Sequence, residues 1–571
     1  MISLSKEQKA ICEKQGTFVV RACAGSGKTL TISYKLVKLI KENNNSQKGI
    51  ATLSFTNVAW KEIRNNLNNF GITMGAPNFL GTIDSFINEF IFFRYYYLLD
   101  EFNKRPLLVG YLANPWKKHD LNNHWDFSPY FDDFSFNQNG DLFKLNNIRL
   151  SFQFRKHNKE GEINKNYIKL CKMKKEYFSK GYVTQADINY FSFLLLKKYP
   201  FISKIIANKF STFLIDEAQD TNELQMSMLD CILNQNKSNF VFIGDFNQSI
   251  FEWNGAKPDV FDDLCNKFDV LELDENWRSS QKICDFASKF TKFKIIAANS
   301  DVKDFAMDPI IISTDDNYRG IVENFNDLCC ENQFYENKIL VRSNNLFKKV
   351  FNCLEKNNHE FSEIIWENNL ARDIIYSKFL FDNHRFNEAF ECLGKVVVKY
   401  CCDNEYLSYS EIKEYIKQDF FNFKHRLNCL FSSMPNLENK TVKDWFDDFL
   451  NELGINSFDS NNLIQNDVEL NSLFFEGNFE VQNISTIHKV KGNSFDAILL
   501  ILNSRTNKNY STLINEFLEY GIFDEELRLI YVAITRPRKL LVLAVPNNDK
   551  KMWEDFFEGN NTKQSSIYDF F

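Results

Sequence analysis

Arg21-Ala22-Cys23-Ala24-Gly25-Ser26-Gly27-Lys28-Thr29 is the stretch on which the fold turns. It follows Thr17-Phe18-Val19-Val20, a short apolar run of β type, and precedes Leu30–Ile40, where apolar residues recur at helical spacing. Strand, glycine-rich turn and helix, closing on Gly-Lys-Thr, is the context of a phosphate-binding loop. Glycines let backbone N–H groups close around phosphate oxygens, and the helix that starts there points its positive end at them. Lys28 is placed to reach the β- and γ-phosphates, and Thr29 to hold Mg²⁺. Ala22 stands where the general pattern has its first glycine, which is tolerable if its φ stays negative.

Working outward, Leu4–Ile11 opens a short helix with Ser5 as N-cap. Gln8, upstream of the loop, has an amide able to pair with adenine. Gly49–Asn57 and Phe79–Phe86 read as further strands. Ligands of parallel sheets meet the carboxyl ends of strands, so Phe55, Thr56, Asn57 and the stretch from Thr82 to Phe86 are placed to touch a ligand other than ATP. Phe213-Leu214-Ile215-Asp216-Glu217 is a buried strand running into paired carboxylates. There Asp216 suits Mg²⁺ held through water, and Glu217 suits a base for the attacking water. Asn239–Ile243 is another strand, followed by Gln248, which suits phosphate sensing, and by Phe251 and Trp253, which suit base stacking.

The chain has 571 residues, so several domains are expected. Hydrophobic residues are 44% and charged residues 25%, ordinary for a globular protein. A net charge of −7 excludes a bulk basic footprint, so nucleic-acid binding must use a local groove or stacking. With 58 phenylalanines, single Phe residues carry little signal. The 13 cysteines contain no C-x-x-C pair and the 7 histidines do not cluster with them, which reads as free thiols in a reducing compartment. No apolar run reaches membrane-spanning length, so the chain is expected to be cytoplasmic, with no membrane partner.

The strand–helix rhythm breaks twice, over 87–180 and 362–477, where aromatic and polar segments of mostly helical pattern take over. Ile339-Leu340-Val341 and Val481–Leu500 are strands of a second α/β unit, and residues 546–571 read as a polar tail.

Taken in order, the stretches LSKEQKAI (4–11), ACAGSGKT (22–29), LSFTNVA (53–59), GTIDSF (81–86), FLIDEAQDTN (213–222), FIGDFNQSIFEWNGA (242–256), ELDENWRSS (272–280), ISTIHKVKGNSFDAILL (484–500) and EELRLIYVAITRPRK (525–539) resemble the UvrD/Rep family of superfamily 1 DNA helicases. The resemblance covers nearly the whole chain. It implies an α/β fold of two RecA-like lobes with parallel sheets, each carrying a mostly helical insertion. The implied division is 1–86 and 181–275 for the first lobe, interrupted by insertion 87–180. The second lobe is 276–361 and 478–548, interrupted by insertion 362–477, and 549–571 is the tail.

By that resemblance ATP lies between the lobes and DNA across their tops. Gln8 and Trp277 contact adenine, and Ala22, Cys23, Ala24, Gly25, Ser26, Gly27, Lys28 and Thr29 hold the triphosphate. Thr29 and Asp216 bind Mg²⁺, and Glu217 is the catalytic base. Gln248 reads the γ-phosphate, and Arg278 and Arg536 are arginine fingers. Phe55, Thr56, Asn57, Thr82, Trp253 and His488 fall on the DNA side.

The chain departs from the family where Trp277 replaces Tyr, Leu30 replaces Arg, Asp84 replaces His, Asn254 replaces Arg and Ser494 replaces Glu. Asp84 is thereby expected to put a negative charge near the DNA path. The departures touch nucleotide recognition and DNA grip, and the hydrolytic residues are intact.

The implied activity is ATP-driven movement on single-stranded DNA, 3′ to 5′, with possible unwinding of duplex. Alternatives are a DNA-sensing regulatory ATPase that licenses a partner nuclease, and a DNA repair helicase. Gly81–Asn88 with Asn103-Lys104-Arg105-Pro106 resembles the helicase-like subunit of Gabija anti-phage systems, which acts with an OLD-family nuclease. Gln564, Ile567, Phe570 and Phe571 are spaced like a sliding-clamp-binding peptide, and a Phe-rich tail packed on its own lobe is the plainer reading.

Overall fold

The computed structural model describes residues 4–42, 47–108, 134–144, 156, 163–250, 258–291, 294–314, 317–354, 369–382, 386–401, 419–437, 440–454, 463, 469–470, 483–503, 509–521 and 523–558. Two parallel sheets organise them. The first is built from β1 (Phe18–Ala22), β2 (Gly49–Ser54), β3 (Phe79–Thr82), β4 (Phe210–Ile215), β5 (Asn239–Gly244) and β6 (Val270–Leu273), in spatial order β6-β1-β5-β4-β2-β3. The second is built from β7 (Ile310–Thr314), β8 (Asn337–Val341), β9 (Ile484–Thr486), β10 (Phe495–Ile501) and β11 (Pro537–Pro546), in order β7-β11-β10-β8-β9. Every ladder in both is parallel. Parallel strands are covered on both faces, which is why β2 is buried at each of its positions, the small polar Thr52 and Ser54 included.

The local signals act as the sequence leads one to expect. Helix α1 (Lys6–Glu13) starts in a reciprocal capping box of Ser5 and Gln8. Helix α2 (Lys28–Glu42) begins at the lysine that closes the glycine turn. Thr56 caps α3 (Asn57–Asn69) by accepting from the Ala59 N–H. The first lobe's core joins Phe18, Val20 and Ala22 of β1 to Ile32 and Leu36 of α2.

Residues 87–180 do not form a compact unit by themselves. Apart from 107–129, they cluster with the two lobes. The cause is aromatic continuity. Phe86 and Phe90 lie 4.9 Å apart by ring centroid, Phe90 and Phe210 of β4 lie 5.2 Å apart, and Phe102 stands 4.9 Å from Phe191. The Lys174 Nζ–Asp187 Oδ1 pair, at 2.6 Å and almost fully buried, ties helix Lys165–Ser179 to helix Gln185–Lys198. The phenylalanines that carried no sequence signal thus supply the packing.

The other compact unit comprises 107–129 and 356–483. The described part of 356–483 is mostly helical: Asn369–Asp382, Phe386–Cys401, Phe420–Ser433 and Val442–Glu452 pack around Trp445, Phe446 and Phe449. The Trp445 indole N–H donates to the Pro435 carbonyl at 3.0 Å, so this buried ring is satisfied at its polar edge.

The stretch read as the start of a polar tail is instead helix Asn547–Glu558. Trp553 is fully buried there and stacks on Phe557, with ring centroids 5.7 Å apart. Met552, Trp553, Phe556 and Phe557 form an apolar face among polar residues, and the second lobe's core receives it. The clamp-like residues Gln564, Ile567, Phe570 and Phe571 lie outside the described residues. Among the described residues, no helix is long and apolar enough to cross a membrane.

Candidate active site

The glycine turn takes the backbone shape its sequence demands. Gly25 and Gly27 have φ of +72° and +75°, the left-handed region. A Cβ on Gly25 would stand 2.8 Å from Asn276 Nδ2 and 2.9 Å from Arg278 Cβ. Ala22 ends β1 in extended conformation, so its methyl is harmless. The Ser26 hydroxyl donates to the Cys23 carbonyl at 2.8 Å and fixes the turn from within.

From the other side the segment after β6 clasps the turn. Asn276 Nδ2 donates to the Ala24 carbonyl at 2.7 Å, and the Trp277 N–H donates to the Gly25 carbonyl at 2.8 Å. That segment is itself tied to the end of helix Glu525–Ile534 and the start of β11. Arg278 Nη1 donates to the Thr535 carbonyl at 3.0 Å, and the Ser279 hydroxyl to the Pro537 carbonyl at 2.7 Å. Cys23, Ala24 and Ile250 from the first lobe are buried in the second lobe's core. The turn is therefore a seam between the lobes.

A cavity of about 510 Å³ opens at this seam. Its walls bring together Gly25, Ser26, Gly27, Lys28, Thr29, Glu217, Gln248, Trp277, Arg278 and Arg536. Arg536 Nη2 donates to Gln248 Oε1 at 2.9 Å, and Gln248 Nε2 donates to Asp245 Oδ2 at 2.6 Å. Thr56 and His488, expected on the DNA side, line the same cavity. His488 is held below the ordinary imidazole value by burial and by Arg342 and Lys491, so it is neutral at physiological pH.

Asp216 and Glu217 lie at the end of β4 and carry opposite shifts. Burial, then the charge of Glu217, pushes the Asp216 carboxyl upward. Burial opposes the Glu217 charge as well, but Lys28, Lys491, a 2.5 Å hydrogen bond from Gln219 Nε2 and Arg536 together hold it below the usual glutamate value. Glu217 has φ +51° and ψ 44°, a left-handed conformation that costs a non-glycine residue about 1 kcal/mol or more. One Asp216 oxygen accepts from the Glu217 N–H at 2.9 Å, and Oδ2 is buried with no partner. Among the described residues no three His, Cys, Asp or Glu side chains cluster as a metal site. The orphaned Asp216 oxygen and the cavity-facing Thr29 are the donor set at hand.

Other expected residues stand elsewhere. Gln8 is 3% exposed and is not part of the cavity wall. Its Oε1 accepts from the Ser5 N–H at 3.1 Å, and its Nε2 donates to the Ser26 carbonyl at 3.2 Å. Asn57 Oδ1 accepts from the Trp60 indole N–H, and Thr82 caps the following helix at Ser85; neither they nor Phe55 line the cavity. Asp84 turns inward: its Oδ1 accepts from Gln225 Nε2 at 2.8 Å and Asn189 Nδ2 at 3.4 Å. Trp253 falls outside the described residues.

The sequence reading assigned no role to Lys491 or Asp220, although both lie in quoted stretches. Lys491 Nζ donates to Asp220 Oδ2 at 2.6 Å and to the Gln248 carbonyl at 2.9 Å, bridging the lobes beside Glu217. Burial pushes the Asp220 carboxyl up to about 7 even against the Lys491 charge. Lysine among apolar residues after a histidine was the available signal, but its partner lies 271 residues away.

With the geometry in place, comparison with known proteins fixes the class. The UvrD/REP helicase N-terminal domain matches residues 4–269, and the UvrD-like helicase C-terminal domain matches 404–548. The chain belongs to the UvrD/Rep helicase family. It is similar to the Gabija protein GajB of Bacillus cereus strain VD045, at 24% identity over 570 residues that cover 97% of both chains. It is also similar to the probable DNA helicase II homolog of Mycoplasma genitalium, at 23% identity over 635 aligned positions covering 96% of this chain and 86% of that one. The ATP-dependent DNA helicase Rep of Buchnera aphidicola subsp. Schizaphis graminum is 28% identical over 303 residues, 50% of this chain and 44% of its own.

Proposed function

We propose that this chain hydrolyses ATP between its two lobes and uses the cycle to move 3′ to 5′ on single-stranded DNA. The observation that carries the reading is the Arg536–Gln248 hydrogen bond at 2.9 Å, made across the lobes over the cavity that Lys28 lines. Lys28 and the turn N–H groups hold the triphosphate. Glu217, kept ionised, takes the proton of the attacking water. Gln248 senses the γ-phosphate, and Arg278 and Arg536 stabilise the charge that develops on the transferred group. Thr29 and the orphaned oxygen of Asp216 would hold Mg²⁺, which neutralises the triphosphate charge. Because the fingers come from the second lobe, hydrolysis depends on lobe closure, and a nucleotide that prefers the closed form drives closure. Phe55, Asn57, Thr82 and Trp253 remain our candidates for the DNA side.

The test is ATP turnover by the purified chain with and without single-stranded DNA. DNA stimulation with loss of turnover in Lys28→Ala is expected; turnover indifferent to DNA would sink the motor reading.

The full-length similarity to GajB favours a second reading, in which DNA-stimulated hydrolysis licenses an OLD-family nuclease partner in anti-phage defence. Turnover without strand separation, together with copurification of a nuclease, would select it. Robust unwinding by the chain alone would instead favour the reading as a DNA repair helicase.

A further inference from the structure

We propose that His425 and Cys429 are one half of a zinc site, which a second copy of this chain completes as a Cys₂His₂ set. Both lie on the exposed side of helix Phe420–Ser433, four positions apart. A helix brings positions i and i+4 to the same face. Here it sets Cys429 Sγ 3.9 Å from His425 Nε2. Zinc bonds of about 2.3 Å to sulfur and about 2.0–2.1 Å to nitrogen, at the tetrahedral angle, put two such donors about 3.6 Å apart. The observed gap is therefore one that a small side-chain rotation turns into a chelate. Thiolate with imidazole selects zinc over the hard cations that oxygen donors hold. The pair escapes a search for closely spaced cysteines, because only a helix brings residues at this spacing together.

One chain stops at two donors: among the described residues no third His, Cys, Asp or Glu side chain joins them. A structural zinc takes four. The helix itself shows where the other two come from. Leu427 and Phe431 fix its inner side, which leaves Phe421, His425, Cys429 and Ser432 as a stripe along the outer side. Phe421 is 86% exposed, with only the Phe420 ring beside it, 5.8 Å away by centroid. Two such helices, packed antiparallel about a two-fold axis at the level of Leu427, set His425 of each opposite Cys429 of the other. Four donors then converge on the axis. The same pairing lays each Phe421 against the far end of the other helix, at Ser432 and Ser433, and covers the exposed ring. A two-fold contact is self-complementary, so one patch serves both sides. Charge agrees with this count. Binding releases both thiol protons, and the two thiolates cancel the charge of the zinc, so no net charge is added beside the exposed Arg426. Lys424 is drawn aside, with its Nζ over the Phe420 ring, 4.8 Å from the centroid.

The experiment takes the full chain, stripped with EDTA and kept in a non-thiol reductant, and follows its mass by analytical ultracentrifugation as zinc chloride is added. The expected result is a doubling of mass that reverses with EDTA. His425→Ala and Cys429→Ser should each abolish the doubling and, by comparison with wild type, remove one bound zinc per two chains. Both side chains are exposed, so neither substitution opens the core. Co²⁺ in place of zinc gives a second readout, a thiolate-to-metal charge-transfer band that Cys429→Ser weakens. A wild-type chain that stays a single copy in zinc overturns the proposal. So does a dimer that survives either substitution, or one indifferent to EDTA. A dimer that forms only without reductant would be a Cys429 disulfide and overturns it too. Zinc held by His425 and Cys429 of one copy, with no change of mass, would refute the shared site. No residue of the nucleotide cavity takes part, so the outcome stands apart from the hydrolase reading.

Discussion

The two lobes share a parallel-sheet plan, yet they bring opposite chemistry to one seam. The first supplies acids at or just behind the cavity wall: Asp216, Glu217, Asp220 and Asp245, all but Glu217 almost fully buried. The second supplies cations: Arg278, Lys491 and Arg536 on the wall, and Arg528, whose Nε donates to the Ser249 carbonyl at 2.6 Å. Neither set is comfortable alone. Burial drives three of the acids toward protonation, and it drives both Arg278 and Arg536 toward lower pKa, Arg278 to about 9, still cationic at neutral pH. Lys28 of the first lobe offsets part of the cost at Asp216, Glu217 and Asp245, and Lys491 and Arg536 from the second lobe add to that offset at Glu217, so the acids meet their full set of cations only against the second lobe. On the proposed reading, a dependence of hydrolysis on closure follows from that division of charge.

The strongest way to break the comparison is to remove the second lobe's reach. Arg536→Ala should lower kcat by about 10³-fold or more, the scale of an arginine finger. It also frees Gln248 Oε1, its partner across the seam. Single-turnover assays at saturating ATP would check this, and a change confined to KM would mean that Arg536 only helps to bind nucleotide.

Next in size is the first lobe's own base. Glu217→Gln should reduce turnover by about 10²-fold or more while leaving nucleotide binding nearly intact. The shape is kept, and the Gln219 amide can still find an oxygen at position 217. Full-rate hydrolysis by this variant would remove Glu217 from the mechanism.

The Lys491–Asp220 pair sharpens the comparison through pH. Asp220 has its folded pKa raised from the ordinary 3.8 to about 7. Between those values the folded chain holds a proton that the unfolded chain has released, so this group's contribution to stability falls as pH rises across the window. Lys491→Met removes the attraction that limits the rise, and the window extends upward. The variant should lose about 2 kcal/mol at pH 8.5 and clearly less at pH 6, where Asp220 is neutral and tolerates the missing lysine. Urea denaturation at the two pH values measures it. Equal losses would show that Lys491 acts through its packing or through its bond to the Gln248 carbonyl.

Much of this site was legible in residue order because it is local. The glycine turn needs its neighbours β1 and α2, and the carboxylates need only the end of a buried strand, so Lys28, Asp216 and Glu217 could be placed from spacing. What was not legible depends on partners distant in the chain. Asp220 meets Lys491 across 271 positions of the chain, where the two lobes touch. Gln8 has the right chemistry for adenine, but that its amide also joins Ser5 to Ser26 is a matter of where α1 docks. Helix Asn547–Glu558 was hidden by its polar composition, since the apolar face that buries Trp553 is only two residues wide per turn. The break at 87–180 was visible as a change in pattern, but its attachment to β4 runs through Phe90 and Phe210, and abundant phenylalanine had masked that signal.

Asp84 offers the smallest effect and the finest discrimination. Placed by sequence near the DNA path, its carboxylate would repel phosphates, and Asp84→Asn would then tighten single-stranded DNA binding severalfold and steepen its salt dependence. Its observed bonds to Gln225 and Asn189 imply a different outcome. Burial pushes the Asp84 carboxyl upward, the two amide donors partly offset that, and the group serves to fasten the helix after β3 to helices Gln185–Lys198 and Glu223–Leu233. Asparagine keeps an acceptor oxygen for Gln225 but weakens what was a charge-assisted bond, so the variant should lose about 1 kcal/mol of stability. DNA affinity at two salt concentrations should stay within about twofold of wild type, because a carboxylate turned onto its own helices neutralises no counterion on the strand.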